Sequence, residues 1–128
     1  MITILIMEDQ VELASHWREH LESAGYNVIH AKNFPEAVSV LESQEVQVVV
    51  SDMLIRDEDN LPSKTGGLSL LSHLRLHCEP APKTIAVSGA HPQLHIMRHA
   101  ELLSADAGIV KPFTAEELVY TVNTLLGK

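Results

Sequence analysis

The sequence predicts an α/β fold: a doubly wound, five-stranded parallel sheet with helices on both faces. Two observations carry that expectation. Apolar runs rich in β-branched residues recur at 2–7, 26–31, 46–51, 84–89 and 107–110. Most are continuous rather than alternating, as in strands covered on both sides. Between them lie segments with apolar residues at three- and four-residue steps, the period of a helix with one buried face. Strand and helix alternate through short connections, which implies right-handed crossovers in a parallel sheet.

Each element has its own local reason. "ITILIM" forms the first strand. Over 10–24, Leu13, Ala14, Trp17, Leu21 and Ala24 share one helical face, and Gly25 supplies a stop. "YNVIHA" is the second strand. Asn33-Phe-Pro-Glu36 is a capping-box pattern, and Ala37, Val38, Val40 and Leu41 follow it. "VQVVVS" is the third strand and runs directly into Asp52. From Gly67 to His77 a helix carries Leu68, Leu70, Leu71 and Leu74. "TIAVSG" is the fourth strand, Pro92 starts a helix over 92–104, and "AGIV" is the fifth strand. Thr114-Ala-Glu-Glu117 is a second capping box, with Leu118, Val122, Leu125 and Leu126 behind it.

With 128 residues, the chain suits a single domain over 1–128. Hydrophobic residues make up 45 % and aromatics only 4 %, so the core rests on aliphatic side chains. The formal charge of −8 argues against this domain gripping nucleic acid or an anionic membrane by itself. It suits cations or basic partners, and equally simple solubility. A single cysteine, Cys78, excludes an internal disulfide and fits a reducing compartment. "ITILIM" is too short for a signal peptide and lacks its basic flank, and no apolar run approaches a membrane span. The expectation is a soluble, cytoplasmic protein.

In such folds the functional crevice lies beyond the C-terminal ends of the strands. There the sequence places Glu8 and Asp9 after the first strand, Asp52 after the third, Ser88 at the fourth, and Lys111 and Pro112 after the fifth. Taken singly, each has an ordinary explanation: a turn or cap carboxylate, a satisfied loop hydroxyl, a solvated amine. Taken together they suggest chemistry. Three carboxylates repel one another unless a cation joins them, and an all-oxygen set suits Mg2+. A carboxylate can also be a nucleophile that forms an acyl phosphate. Phosphoryl transfer needs mostly positioning and charge neutralisation. Mg2+ on one side and Lys111 on the other would supply the charge, and Ser88 could donate to a phosphoryl oxygen.

Four motifs in this order, "ILIMEDQ" (4–10), "VVVSDMLI" (48–55), "AVSGA" (86–90) and "IVKPF" (109–113), resemble the receiver domain of two-component response regulators. The resemblance is chemotaxis-regulator-like and spans essentially the whole chain. It implies a flavodoxin-like sheet of order 2-1-3-4-5. It implies that Asp52 accepts a phosphoryl group from a phosphohistidine on a sensor histidine kinase or a histidine phosphotransfer protein. Asp9 and Asp52 would ligate Mg2+, Glu8 would hold a metal-bound water, and the backbone carbonyl of Leu54 would be a further ligand. Lys111 would bind the phosphoryl group, and the bond before Pro112 would be cis. Ser88 would swing toward the phosphoryl group and report its presence. Such a domain is not an enzyme in the usual sense, although it would catalyse its own phosphorylation and hydrolysis. A downstream protein partner is implied but not named. If the domain works alone, the resemblance puts its output surface on the helix over 92–104, the fifth strand and the last helix, including His95, His99, Gly108 and Glu116.

The chain departs from the family pattern in three places. The family commonly has a glycine eight residues after the phospho-acceptor, whereas the matching Gly67 lies fifteen after Asp52. The loop is thus about seven residues longer, with Asp57, Glu58 and Asp59 beside Arg56 and Lys64. It reads as a solvated loop or as a lid or docking surface. Three residues before Lys111, where the family often has Tyr or Phe, stands Gly108. The readout then cannot use a ring there, and glycine could give the strand end unusual backbone freedom. Leu54 and Ala90 stand two residues after Asp52 and Ser88, and neither can hydrogen-bond a water. Slow self-dephosphorylation is therefore expected. Decay of the phosphorylated protein, followed by intact mass, should take far longer than seconds, and a lifetime of seconds would sink the expectation.

Histidines recur at four-residue spacing: His16 and His20, His73 and His77 beside Cys78, and His91, His95 and His99. This spacing can present two imidazoles to one metal, or make a pH-sensitive face, or be ordinary helix surface. Two other functions compete with the phospho-acceptor. One is a pseudo-receiver, the same fold used as a protein-binding module without phosphorylation. The other is an α/β enzyme acting on a phosphorylated metabolite. Against the enzyme, no glycine-rich cradle follows the first strand. Leu54 also stands where an aspartate-based phosphatase would need its second acid.

Overall fold

The computed structural model describes residues 1–52, 66–88 and 105–128, without the side chains of 66–69, 71, 72 and 88. Its elements run β1 (Thr3–Met7), α1 (Val11–Ser23), β2 (Asn27–Ala31), α2 (Phe34–Ser43), β3 (Val48–Asp52), α3 (Gly66–His77), β4 (Lys83–Ser88), β5 (Ala107–Val110) and α4 (Ala115–Leu125). The five strands form one parallel sheet in the order β2-β1-β3-β4-β5. The helix expected over 92–104 and the long loop after Asp52 lie outside the described residues.

The sheet explains the continuous apolar runs. Ile4, Ile6, Val48, Val50, Ile85 and Val87 face one side, where they pack against Ala14, Trp17 and Leu21 of α1 and Leu118 and Val122 of α4. Leu5, Met7 and Val49 face the other side, against Ala37 of α2 and Leu70 and Leu74 of α3. Successive strand residues point to opposite faces, so a strand buried twice must be apolar at every position.

Helix ends follow their capping signals, with one difference. The Thr114 hydroxyl accepts the Glu117 N–H at 3.1 Å, and the Asn33 side chain accepts the Glu36 N–H at 3.0 Å. The return bond from Glu36 Oε1, however, accepts the N–H of Lys32 at 3.2 Å, one residue ahead of the cap. Gly25 takes φ 99° after α1, a conformation that disfavours any Cβ.

Side-chain contacts also tie distant elements of the frame together. Asp106 Oδ2 accepts the Thr84 N–H at 2.8 Å, and Thr84 Oγ1 accepts the Asp106 N–H at 3.1 Å, which ties the start of β5 to β4. The Tyr26 hydroxyl donates to Asn123 Oδ1, which ties α4 to the start of β2.

Candidate functional site

Parallel register delivers the site. Met7 pairs with Ser51, Asp52 with Val87, and Ser88 with Val110, so β1, β3, β4 and β5 end along one edge. Glu8 and Asp9 leave β1 at that edge, Asp52 is the last residue of β3, and Lys111 follows β5. The backbone of Ser88 closes β4 beside them, while Leu54 lies outside the described residues. The peptide bond between Lys111 and Pro112 is cis.

Glu8 is fully buried and Asp52 is 5 % exposed. Glu8, Asp9 and Asp52 each offer a carboxylate oxygen, all within 4.8 Å of one another. The Lys111 ammonium enters this cluster from β5 and donates to Asp52 Oδ2 at 3.2 Å and Glu8 Oε1 at 3.3 Å. The other Glu8 oxygen, Oε2, is buried without a hydrogen-bond partner.

Two pKa shifts describe the balance. Burial, and then the close approach of Asp52, push the Glu8 carboxyl up to about 9, with Lys111 opposing only in part. For Lys111, burial favours the neutral amine, but the charges of Asp52 and Glu8 outweigh it and raise its pKa. Two of the three carboxyls, Asp52 and Glu8, thus share one ammonium, and burial together with Asp52 favours the neutral form of Glu8. Such an all-oxygen donor set fits a hard divalent cation.

Sequence reasoning missed the braces of this cluster. The Glu8 N–H donates to the Ala31 carbonyl at 3.0 Å. The His30 imidazole donates through Nε2 to the Glu8 carbonyl at 2.6 Å, and since a carbonyl only accepts, Nε2 must carry the proton. The end of β2 therefore holds the turn that presents Glu8 and Asp9. The only available signal was an imidazole one residue before a strand end, which is too weak to read.

The structure revises the expectation about Gly108. It is an ordinary β5 residue paired with Ala86, and among the described residues only Gly25 and Gly127 have positive φ. Gly108 therefore brings no special backbone shape. What it contributes is the absence of a side chain.

Among the described residues, Glu8, Asp9 and Asp52 form the one cluster of three or more candidate metal ligands, and no histidine belongs to it. His20 Nδ1 meets the His16 carbonyl at 3.1 Å, and its Nε2 faces Glu116 Oε1 at 3.5 Å, so this pair links α1 to α4. The His73 and His77 rings lie 4.9 Å apart, with His73 edge-on to Phe34. Burial raises the Cys78 thiol pKa, which works against thiolate ligation. His91, His95 and His99 lie outside the described residues.

A 2-1-3-4-5 parallel sheet with an acidic cluster and a lysine at its C-terminal edge is the architecture of a signalling receiver module. Comparison with known proteins agrees. The response regulator receiver domain family matches residues 4–123, and the chain belongs to that family. It is 34 % identical over 131 residues to the sensor kinase CckA of Brucella abortus, covering 98 % of this chain and 13 % of that protein. It is 26 % identical to the response regulator SaeR of Staphylococcus aureus, covering 98 % of this chain and 51 % of SaeR. The chain therefore spans about half of one curated relative and a small part of the other. Among solved structures, the receiver domain of NtrX from Brucella abortus superposes with a TM-score of 0.84 at 22 % identity, covering 98 % of each chain. The receiver domain of the TMAO respiratory response regulator TorR gives 0.85 at 23 %, covering 99 % of this chain and 98 % of that one. At these identities the two structures speak for the fold. No helix among the described residues is long and apolar enough to cross a membrane.

Proposed function

We propose that this receiver domain accepts a phosphoryl group on Asp52 in a two-component relay, with Mg2+ as its cofactor. The observation that carries the reading is the pairing of a nearly buried Asp52 with the Lys111 ammonium 3.2 Å away, beside two further carboxyls. An Asp52 oxygen attacks phosphorus, the bond from phosphorus to the donor's imidazole nitrogen breaks with its electron pair leaving on that nitrogen, and an aspartyl phosphate forms. Bound at Asp9 and Asp52, with Glu8 holding one of its waters, Mg2+ would neutralise negative charge on the transferring group. Lys111, already bonded to Asp52, would do the same, and Ser88 would supply a hydroxyl donor from the end of β4.

The donor is a sensor histidine kinase or a histidine phosphotransfer protein in the cytoplasm. Kinship with a sensor kinase and a response regulator supports that class of partner. The domain acts on itself rather than on a turned-over substrate, and 1–128 works as one unit. A downstream protein receives the signal. A pseudo-receiver would have no need of the intact acidic cluster and its lysine, so the site gives that alternative no support.

Incubation with acetyl phosphate and Mg2+, followed by intact mass, should yield one phosphoryl adduct. The adduct should vanish with chelator and in Asp52→Asn. An adduct that persists in Asp52→Asn, or none in the parent protein, would overturn the reading.

A further inference from the structure

One contact of the site lies outside the family pattern of acids, hydroxyl and lysine. The Lys111 Nζ sits 5.8 Å from the centroid of the Trp17 ring. Trp17 is on α1, it is 2 % exposed, and it is the chain's one tryptophan. The Phe113 ring stacks on it at 5.3 Å and 24°. The lysine and the phenylalanine flank the cis bond before Pro112, so the indole is in contact with both arms of that turn.

We propose that Trp17 is the positioning residue for Lys111, and that through it α1 registers where the ammonium lies. The proposal rests on the phospho-acceptor reading for its signalling consequence, although the positioning itself does not.

The physical case has three parts. A lysine stem is flexible, and its ammonium is a point charge without a fixed direction. At Lys111 the ammonium donates to Asp52 and Glu8, and it also lies over the electron-rich face of an indole, the strongest aromatic partner for a cation. Lys111 is only 25 % exposed on its side chain, so water screens the contact weakly. Finally, Trp17 cannot follow the lysine freely. It is packed among Ile4, Ile6, Leu118 and Val122, and Phe113 closes its stacking face.

A phosphoryl group on Asp52 would draw the ammonium toward new oxygens. The indole and the turn at Pro112 would then have to adjust, and α1 carries the indole. With Gly108 offering no ring on β5, this contact gives the site an aromatic reporter on a different element. The surface that would feel it is the α1 and α4 face, where His20 meets Glu116.

The test is a double-mutant cycle read by Mg2+ affinity and by phosphorylation rate, with thermal melting recorded for every variant. Trp17→Leu should slow phosphorylation by acetyl phosphate about five- to thirtyfold, the range of one lost desolvated cation–π contact. It should also shift Mg2+ affinity toward the value of Lys111→Met. Trp17→Phe keeps a ring and should stay within about threefold of the parent. In a Lys111→Met background, Trp17→Leu should change neither quantity further, since coupled residues are non-additive. Trp17 emission should differ between the parent and Lys111→Met before any phosphodonor is added. Equal effects of Trp17→Leu with and without Lys111 would show a packing role only and overturn the proposal, as would unchanged emission in Lys111→Met. If Trp17→Leu does not fold, Trp17→Phe and the emission of Lys111→Met still decide. Failure of the parent to form an adduct would overturn the phospho-acceptor reading, while the Mg2+ and emission arms would still judge Trp17.

Discussion

Lys111→Met should slow phosphorylation by acetyl phosphate by roughly two to three orders of magnitude, the usual cost of removing one preorganised charge-stabilising donor. The same variant should bind Mg2+ about tenfold more tightly or better. The two effects have opposite signs because Lys111 has two tasks. In the resting protein its ammonium lies 3.2 Å from Asp52 and 3.3 Å from Glu8, where it neutralises carboxyls that a divalent cation would also use. Removing it leaves the cluster more negative and more attractive to a cation. During transfer the same ammonium offsets charge on the phosphoryl oxygens, and methionine has no charge to replace it. Rates from intact mass at saturating Mg2+, with affinity from a metal titration, separate the two roles. Slower phosphorylation together with weaker Mg2+ binding would instead mean that the variant had lost the geometry of the site.

The sheet was legible because each strand is buried twice, and a doubly buried strand leaves an unbroken apolar run such as Val48-Val49-Val50. The site was legible for a related reason. Parallel register brings strand ends to one edge, so residues scattered from Glu8 to Lys111 could be grouped by position alone. What the sequence concealed were contacts between side chains of different elements. Trp17 reads as one more apolar position on an amphipathic helix, and nothing local shows that its ring also faces an ammonium. His30 reads as a polar interruption of β2, not as the donor that braces Glu8. Asp106 reads as loop, although it locks β5 to β4. These depend on three-dimensional neighbours far apart in the chain, which periodicity and capping rules do not encode. Gly108 shows the opposite error. A glycine suggests unusual backbone freedom, yet Gly108 pairs with Ala86 as an ordinary strand residue and needs none.

Glu8→Gln should alter the pH response of the metal-free protein and weaken Mg2+ binding together. The Glu8 carboxyl is pushed up to about 9 by burial and by Asp52, from an ordinary value of 4.5. Between those two pH values the folded chain holds a proton that the unfolded chain has released. Stability therefore falls as pH rises through this window. The raised Lys111 pKa acts in the same direction but only above its ordinary value of 10.5, outside the window. Thermal melting in chelator should thus show the parent losing stability steadily from pH 5 to pH 9, with Glu8→Gln much flatter, because an amide imitates the protonated acid and cannot ionise. Added Mg2+ reverses the preference by favouring the charged carboxylate, so the parent should gain most from the metal at the alkaline end. The variant, with no charge to orient a metal-bound water, should bind Mg2+ about ten- to a hundredfold more weakly, as when other residues that orient a metal's ligands are lost. A parent whose melting temperature rises with pH across this window in chelator would show that Glu8 is ionised in the resting protein.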